Sequence, residues 1–125
     1  MSKPQIINLT DNIQLHAAGG PVTAVVHTGH PNSYQFDLVL QFDDHNQTYP
    51  SPAQAGTSYK LDVPGKLMRK ANLFCWGAIF TPGPNSLFDL DCEFFQEGAS
   101  VAVSKHISGQ TTGSTVTFSL RCNFV

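Results

Sequence analysis

Charge is what this sequence has least of. Asp, Glu, Lys and Arg make up 13% of its 125 residues, against a usual share of about 25%. That scarcity excludes a disordered polyelectrolyte, a coiled coil and a long solvated helix. Seven basic residues against nine acidic ones leave a net charge of −2, too little to draw the chain onto nucleic acid or an anionic membrane. Long apolar runs are missing too. No stretch reaches the roughly 18 apolar residues of a membrane span, and the opening MSKPQIINLTDN lacks the apolar stretch of a secretory signal. The expectation is a protein without a signal peptide or membrane span, cytoplasmic or associated with a phage or other particle.

Cysteine is scarce and odd in number: Cys75, Cys92 and Cys122, with no CxxC pair. The spacing excludes a zinc ribbon and the count excludes a disulfide framework. Buried thiols acting as small hydrophobes are expected. A Cys92–Cys122 bridge is the alternative if their strands face each other. Catalytic signatures are also absent: no GxSxG, HExxH, GxxxxGK[ST] or GxGxxG is present, and no carboxylate pair is placed to face another across a cleft. The chain is therefore not expected to be an enzyme.

What the sequence does have is period-two hydrophobicity. Tyr34, Phe36, Leu38, Leu40 and Phe42 alternate with mostly polar residues, as do Phe88, Leu90, Cys92 and Phe94, and Val116, Phe118, Leu120, Cys122 and Phe124. Such alternation reads as half-buried strand. Weaker strand patterns cover 5–9, 12–17, 22–27, 57–63, 72–80 and 100–106, and KLMRKA at 66–71 allows at most one helical turn. Gly and Pro turns separate the runs, Pro82-Gly83-Pro84-Asn85 and Glu97-Gly98 among them. The sum is one all-β domain over 1–125, an antiparallel β-sandwich, immunoglobulin-like or jelly-roll, of eight or nine short strands. The Cys…Trp…Cys spacing of antibody domains is missing, because Trp76 directly follows Cys75.

If each strand crosses the sandwich once, connections alternate between its two ends. Residues 27–33, 64–71 and 96–99 then share one end, and 43–56, 81–86 and 107–113 the other. The first end gathers His27, His30 and the basic cluster Lys66, Arg69 and Lys70, a candidate anion or acidic-partner site. The second gathers Asp43, Asp44, His45, Asn46, Asn85 and His106. Within it, Asp43, Asp44 and His45 are the candidate metal ligands, Ca²⁺ being the cation their oxygens suit. The segment 43–56, with Tyr49 and His45, is long enough for a loop that contacts a partner; a plain surface crossover, or a short edge strand inside it, is the alternative. Asp89, Asp91 and Glu93 share one face of a strand, either as a stripe for a cation or basic partner or, the reading preferred, as charge that keeps an exposed edge from aggregating. Residues 73–80 are apolar on both faces. They form either a strand covered on both sides or a surface, with Trp76 and Phe80, for a second subunit.

These features point first to a non-catalytic interaction or structural module, working through surface loops, with a protein partner or by self-association. The alternatives are a small-ligand or glycan-binding module using Trp76 and Tyr49, and metal-assisted binding through the 43–46 loop. Against the glycan reading, nine of thirteen aromatics are Phe, which suits a core better than a sugar platform.

Overall fold

The computed structural model of the chain describes residues 5–16, 20–42, 45–49, 52–61 and 70–125. Alternating side chains pair into ten strands: β1 (Gln5–Ile13), β2 (Val22–Thr28), β3 (Ser33–Phe42), β4 (His45–Thr48), β5 (Ser58–Leu61), β6 (Ala71–Phe80), β7 (Leu87–Gln96), β8 (Ala99–Val103), β9 (Ile107–Gln110) and β10 (Thr115–Phe124). Two sheets result, β1-β10-β6-β3-β4 and β5-β2-β7-β8, with β9 also paired to β7. Each buries one face and leaves the other wet, as the alternation requires. The inward residues, among them Phe36, Leu38, Leu40, Leu73, Ile79, Phe88, Leu90, Phe94, Val116, Phe118, Leu120 and Phe124, form one core. The fold is thus an all-β sandwich. No helix among the described residues is long and apolar enough to cross a membrane.

Several strand boundaries differ from the sequence reading. β1 is one strand because Asp11, read as a break, stays in the ladder and accepts the Lys105 N–H through Oδ2 (2.9 Å). The 100–106 run is instead interrupted. Ser104 turns inward, its Oγ accepting the Cys92 N–H and donating to the Lys105 carbonyl, so β8 and β9 lie end to end along β7. β1 also pairs with β10 in parallel, the one departure from antiparallel pairing among the described strands. No hairpin joins these two, so chain connectivity does not fix their direction. The Glu97-Gly98 turn closes β7–β8 with both residues at positive φ, 53° and 77°, which suits the right-handed strand twist. The helical turn at 66–71 falls mostly on residues outside those described.

The grouping of loops changes more. Asn32 Nδ2 donates to the Leu87 carbonyl, Thr81 N to Ser114 and Asn85 N to Thr111. Turns 29–32, 81–86 and 111–114 therefore meet at one end. At the other, Gln96 ties His16 and Gly20 to the β7–β8 turn. The expectation had put 27–33 with 64–71 and 96–99. It fails because the chain turns back inside 43–56: β4 runs back along β3, and Ala53 bridges Phe36. That extra traverse inverts the alternation for the loops after it.

Candidate functional site

β6 is the middle strand of the five-stranded sheet. Its inward side chains, Leu73, Cys75 and Ile79, are core. Its outward ones are Asn72, Phe74, Trp76, Ala78 and Phe80. The register sets Trp76 between Asp37 of β3 and Ser119 of β10, and Phe74 between Val39 and Arg121. The Phe74 and Trp76 rings are stacked, centroids 5.0 Å apart and planes inclined by 25°. Around them stand neutral polar side chains: Gln35 and Gln41 on β3, Asn72 on β6, Thr117, Ser119 and Asn123 on β10, and Asn8, Thr10 and Asn12 on β1. Arg121 extends toward the amide oxygens of Asn72 (3.4 Å) and Gln41 (3.5 Å). Beside Trp76 opens a cleft of about 380 Å³, lined by Gln35, Phe36, Asp37, Pro52, Trp76, Gly77 and Ala78. Gly77 has no room for a side chain, since a Cβ there would overlap the Gln35 carbonyl oxygen. The chain opposite is fixed by the Ala53 N–H, which donates to the Phe36 carbonyl at 2.8 Å.

The residues singled out from sequence are dispersed by this fold. Trp76 is central to the face. Phe80, 40% exposed, sits at the end of β6 beside the 81–86 turn, and exposed Lys70 sits at the opposite end. Tyr49 is half-buried. Its hydroxyl donates to the Lys60 carbonyl (2.8 Å) and its ring packs edge-on against Tyr59, so it joins the β4 and β5 edges of the two sheets. His45 pairs with Phe42 on edge strand β4, and its side chain is outside the described set. Asp43, Asp44, Lys66 and Arg69 also lie outside the described residues.

Sequence reasoning missed that Asp37 lies opposite Trp76 and Gln35 opposite the nearby Ala78. Alternation placed Asp37 and Gln35 on the outer face of their strand, but only the register brings that strand beside β6. It also missed what surrounds the acidic stripe. β7 is paired on both sides, so Asp89, Asp91 and Glu93 protect no edge. His106, delivered by the break between β8 and β9, places Nδ1 2.8 Å from Asp89 Oδ1 and 3.6 Å from Asp91 Oδ2. His27 of β2 places Nε2 2.8 Å from Glu93 Oε1, and Ser100 donates to Glu93 Oε2.

The ligand atoms of Asp89, Asp91 and His106 fall within 4.8 Å of one another, a set that could hold a divalent cation. In this structure the histidine itself occupies the carboxylates. Burial pushes the Asp91 carboxyl up, partly offset by His106 and His27. The Ser100 hydroxyl, then His27, holds Glu93 down. The bond to Asp89 raises His106 above its ordinary 6.5. A raised histidine stabilises the fold fully below its ordinary value and loses that contribution as pH climbs through the folded value. His106 is half exposed, so the expected loss between pH 6 and pH 8.5 is under about 1 kcal/mol. Urea midpoints of the wild type and His106→Gln at both pH values test this. The wild type should lose stability across that interval by more than the variant does.

Glu93 lies between Ser100 and His27, so the histidine is not hydrogen-bonded to the serine proton it would have to take. Cys75, Cys92 and Cys122 are free and buried. Burial, reinforced by Asp11, pushes the Cys122 thiol to about 12, and burial pushes the other two up as well. Thiols so shielded do not act as nucleophiles. Comparison with protein-family models, with curated proteins and with solved structures finds no match.

Proposed function

We propose that the chain is a non-catalytic binding module that meets its partner on the outer face of the five-stranded sheet. One observation carries this: the Phe74–Trp76 stack lies on the solvent side of the sheet's middle strand, next to an open cleft. Aromatic rings offer large contact area at low entropic cost, and the rigid ladder around them holds that area ready. The face carries Asp37 and Arg121 as its charged residues among the described strands, which agrees with the low charge of the whole chain. Self-association, the other use for an apolar 73–80 segment, has less support. Interfaces of permanent dimers are about 65% apolar, whereas here Asn, Gln, Ser and Thr surround a small aromatic centre.

Trp76 is the only tryptophan, so its fluorescence reports on this face alone. Sedimentation velocity together with acrylamide quenching is expected to show a monomer with a readily quenched tryptophan. A dimer in which Trp76 is protected would overturn the reading and make the second copy the occupant.

A further inference from the structure

We propose that the cleft beside Trp76 binds a neutral saccharide. The C–H face of one sugar ring rests on the indole, and its hydroxyls bond to Asp37 and Gln35. This rests on the binding-module reading above and names the ligand class for the same face.

A pyranose has two chemistries in one rigid body, an apolar C–H face and a rim of hydroxyls that both donate and accept. The cleft offers a partner for each. Trp76 is braced from behind by its stack with Phe74, so its ring plane is fixed before a ligand arrives. Asp37 faces Trp76 directly across the β3–β6 pair. Its carboxylate has acceptor capacity for a ring hydroxyl, and charge-assisted bonds of that kind are the stronger ones. Gln35, opposite Ala78, adds an acceptor and two donors. Gly77 and Ala78 keep the floor low, which leaves room for a ring to reach the indole. Pro52 forms the far wall, held by the Ala53–Phe36 bond. A preformed wall lowers the ordering cost of binding. The volume, about 380 Å³, lies at the small end of the usual ligand-site range of roughly 300–1,000 Å³.

Other ligand classes fit less well. A phosphate or sulfate would meet the Asp37 carboxylate in a chain of net charge −2. A long apolar chain would strip water from amides and hydroxyls that it cannot satisfy. A neutral ligand also predicts affinity that barely changes with salt, unlike binding driven by charge pairing.

The test is a printed array of neutral and anionic oligosaccharides, probed with the wild type, Trp76→Ala, Asp37→Asn and Gln35→Ala. Tryptophan fluorescence titrations then use free galactose, glucose, mannose and N-acetylglucosamine. Expected is capture by neutral glycans, weakened more than tenfold in Trp76→Ala and about tenfold in Asp37→Asn, and unchanged at 0.5 M salt. If Trp76→Ala does not fold, the two polar variants decide the matter through the same titrations. Full binding by all folded variants would overturn the site, and capture of sulfated or sialylated glycans alone would overturn the neutral-ligand assignment. Silence on the array, with Trp76 still quenchable in a monomer, would overturn the saccharide and leave the binding face standing. A protected Trp76 in a dimer would overturn both.

Discussion

Gly77→Ala is expected to destabilise the protein by about 3 kcal/mol, at the upper end of the overpacking range, and to lower the thermal midpoint by about 12 °C. Gly77 lies in the middle of β6, opposite Phe36 of β3 on one side and Phe118 of β10 on the other. A Cβ at this position would overlap the Gln35 carbonyl oxygen and stand 2.6 Å from the Phe36 Cα. These atoms are backbone, so no rotamer change can relieve the conflict. Relief requires β3 and β6 to part, at the cost of ladder bonds in the strand pair that supports the sheet. The control is Gly83→Ala, where a Cβ meets nothing within 4 Å and φ is unexceptional. That change should leave the stability within about 0.5 kcal/mol of wild type. Circular dichroism melts of both variants check the pair. Equal midpoints would mean that the strands tolerate a side chain at 77, and that the floor of the cleft is less fixed than its geometry implies. Because Gly77 also lines that cleft, any saccharide binding by a folded Gly77→Ala protein should be weaker than wild type.

The sequence carries the strands better than it carries their neighbours. Period-two runs at 34–42, 88–94 and 116–124 became β3, β7 and β10 with small extensions at their ends, because burying one face of a sheet enforces strict alternation. Alternation also places Asp37 outward and Phe36 inward. It says nothing of which strand lies alongside, so the Asp37–Trp76 pair and the cleft it lines could not be read. The same limit applies to the acidic stripe. The spacing of Asp89, Asp91 and Glu93 shows a shared face, while the histidines that meet them come from β2 and from the break after β8. That break depends on the Ser104 hydroxyl standing in for a ladder acceptor toward Cys92, a substitution that propensity does not signal. Inside 43–56 the turn-rich composition leaves a short edge strand as one option only, and β4 is that strand. Counting 43–56 as one connection, without that reversal, moved whole loops to the wrong end of the sandwich.

Phe94→Ala should be more damaging still. Phe94 projects inward from β7, Phe124 from β10, and the rings meet edge to face between the sheets, with centroids 5.4 Å apart and planes at 89°. Both are at most 1% exposed. Truncating a buried phenylalanine costs about 3–5 kcal/mol through lost transfer energy and the cavity left behind. The edge-to-face contact is worth ~1 kcal/mol beyond burial. A domain of this size has a total stability of about 5–15 kcal/mol, so the variant should lose a large share of it and melt roughly 15 °C or more below the wild type. Phe94→Leu refills most of the space and should lose about half as much. Combining Phe94→Leu with Phe124→Leu gives a cycle in which the coupling should be about 1 kcal/mol, isolating the ring contact from the cavity. The pair joins strands of different sheets, so its loss weakens their contact and not one sheet alone. Near-ultraviolet and far-ultraviolet signals should therefore fall together in a single transition. Two separated transitions would show that each sheet stands without the other, contrary to a core shared between them.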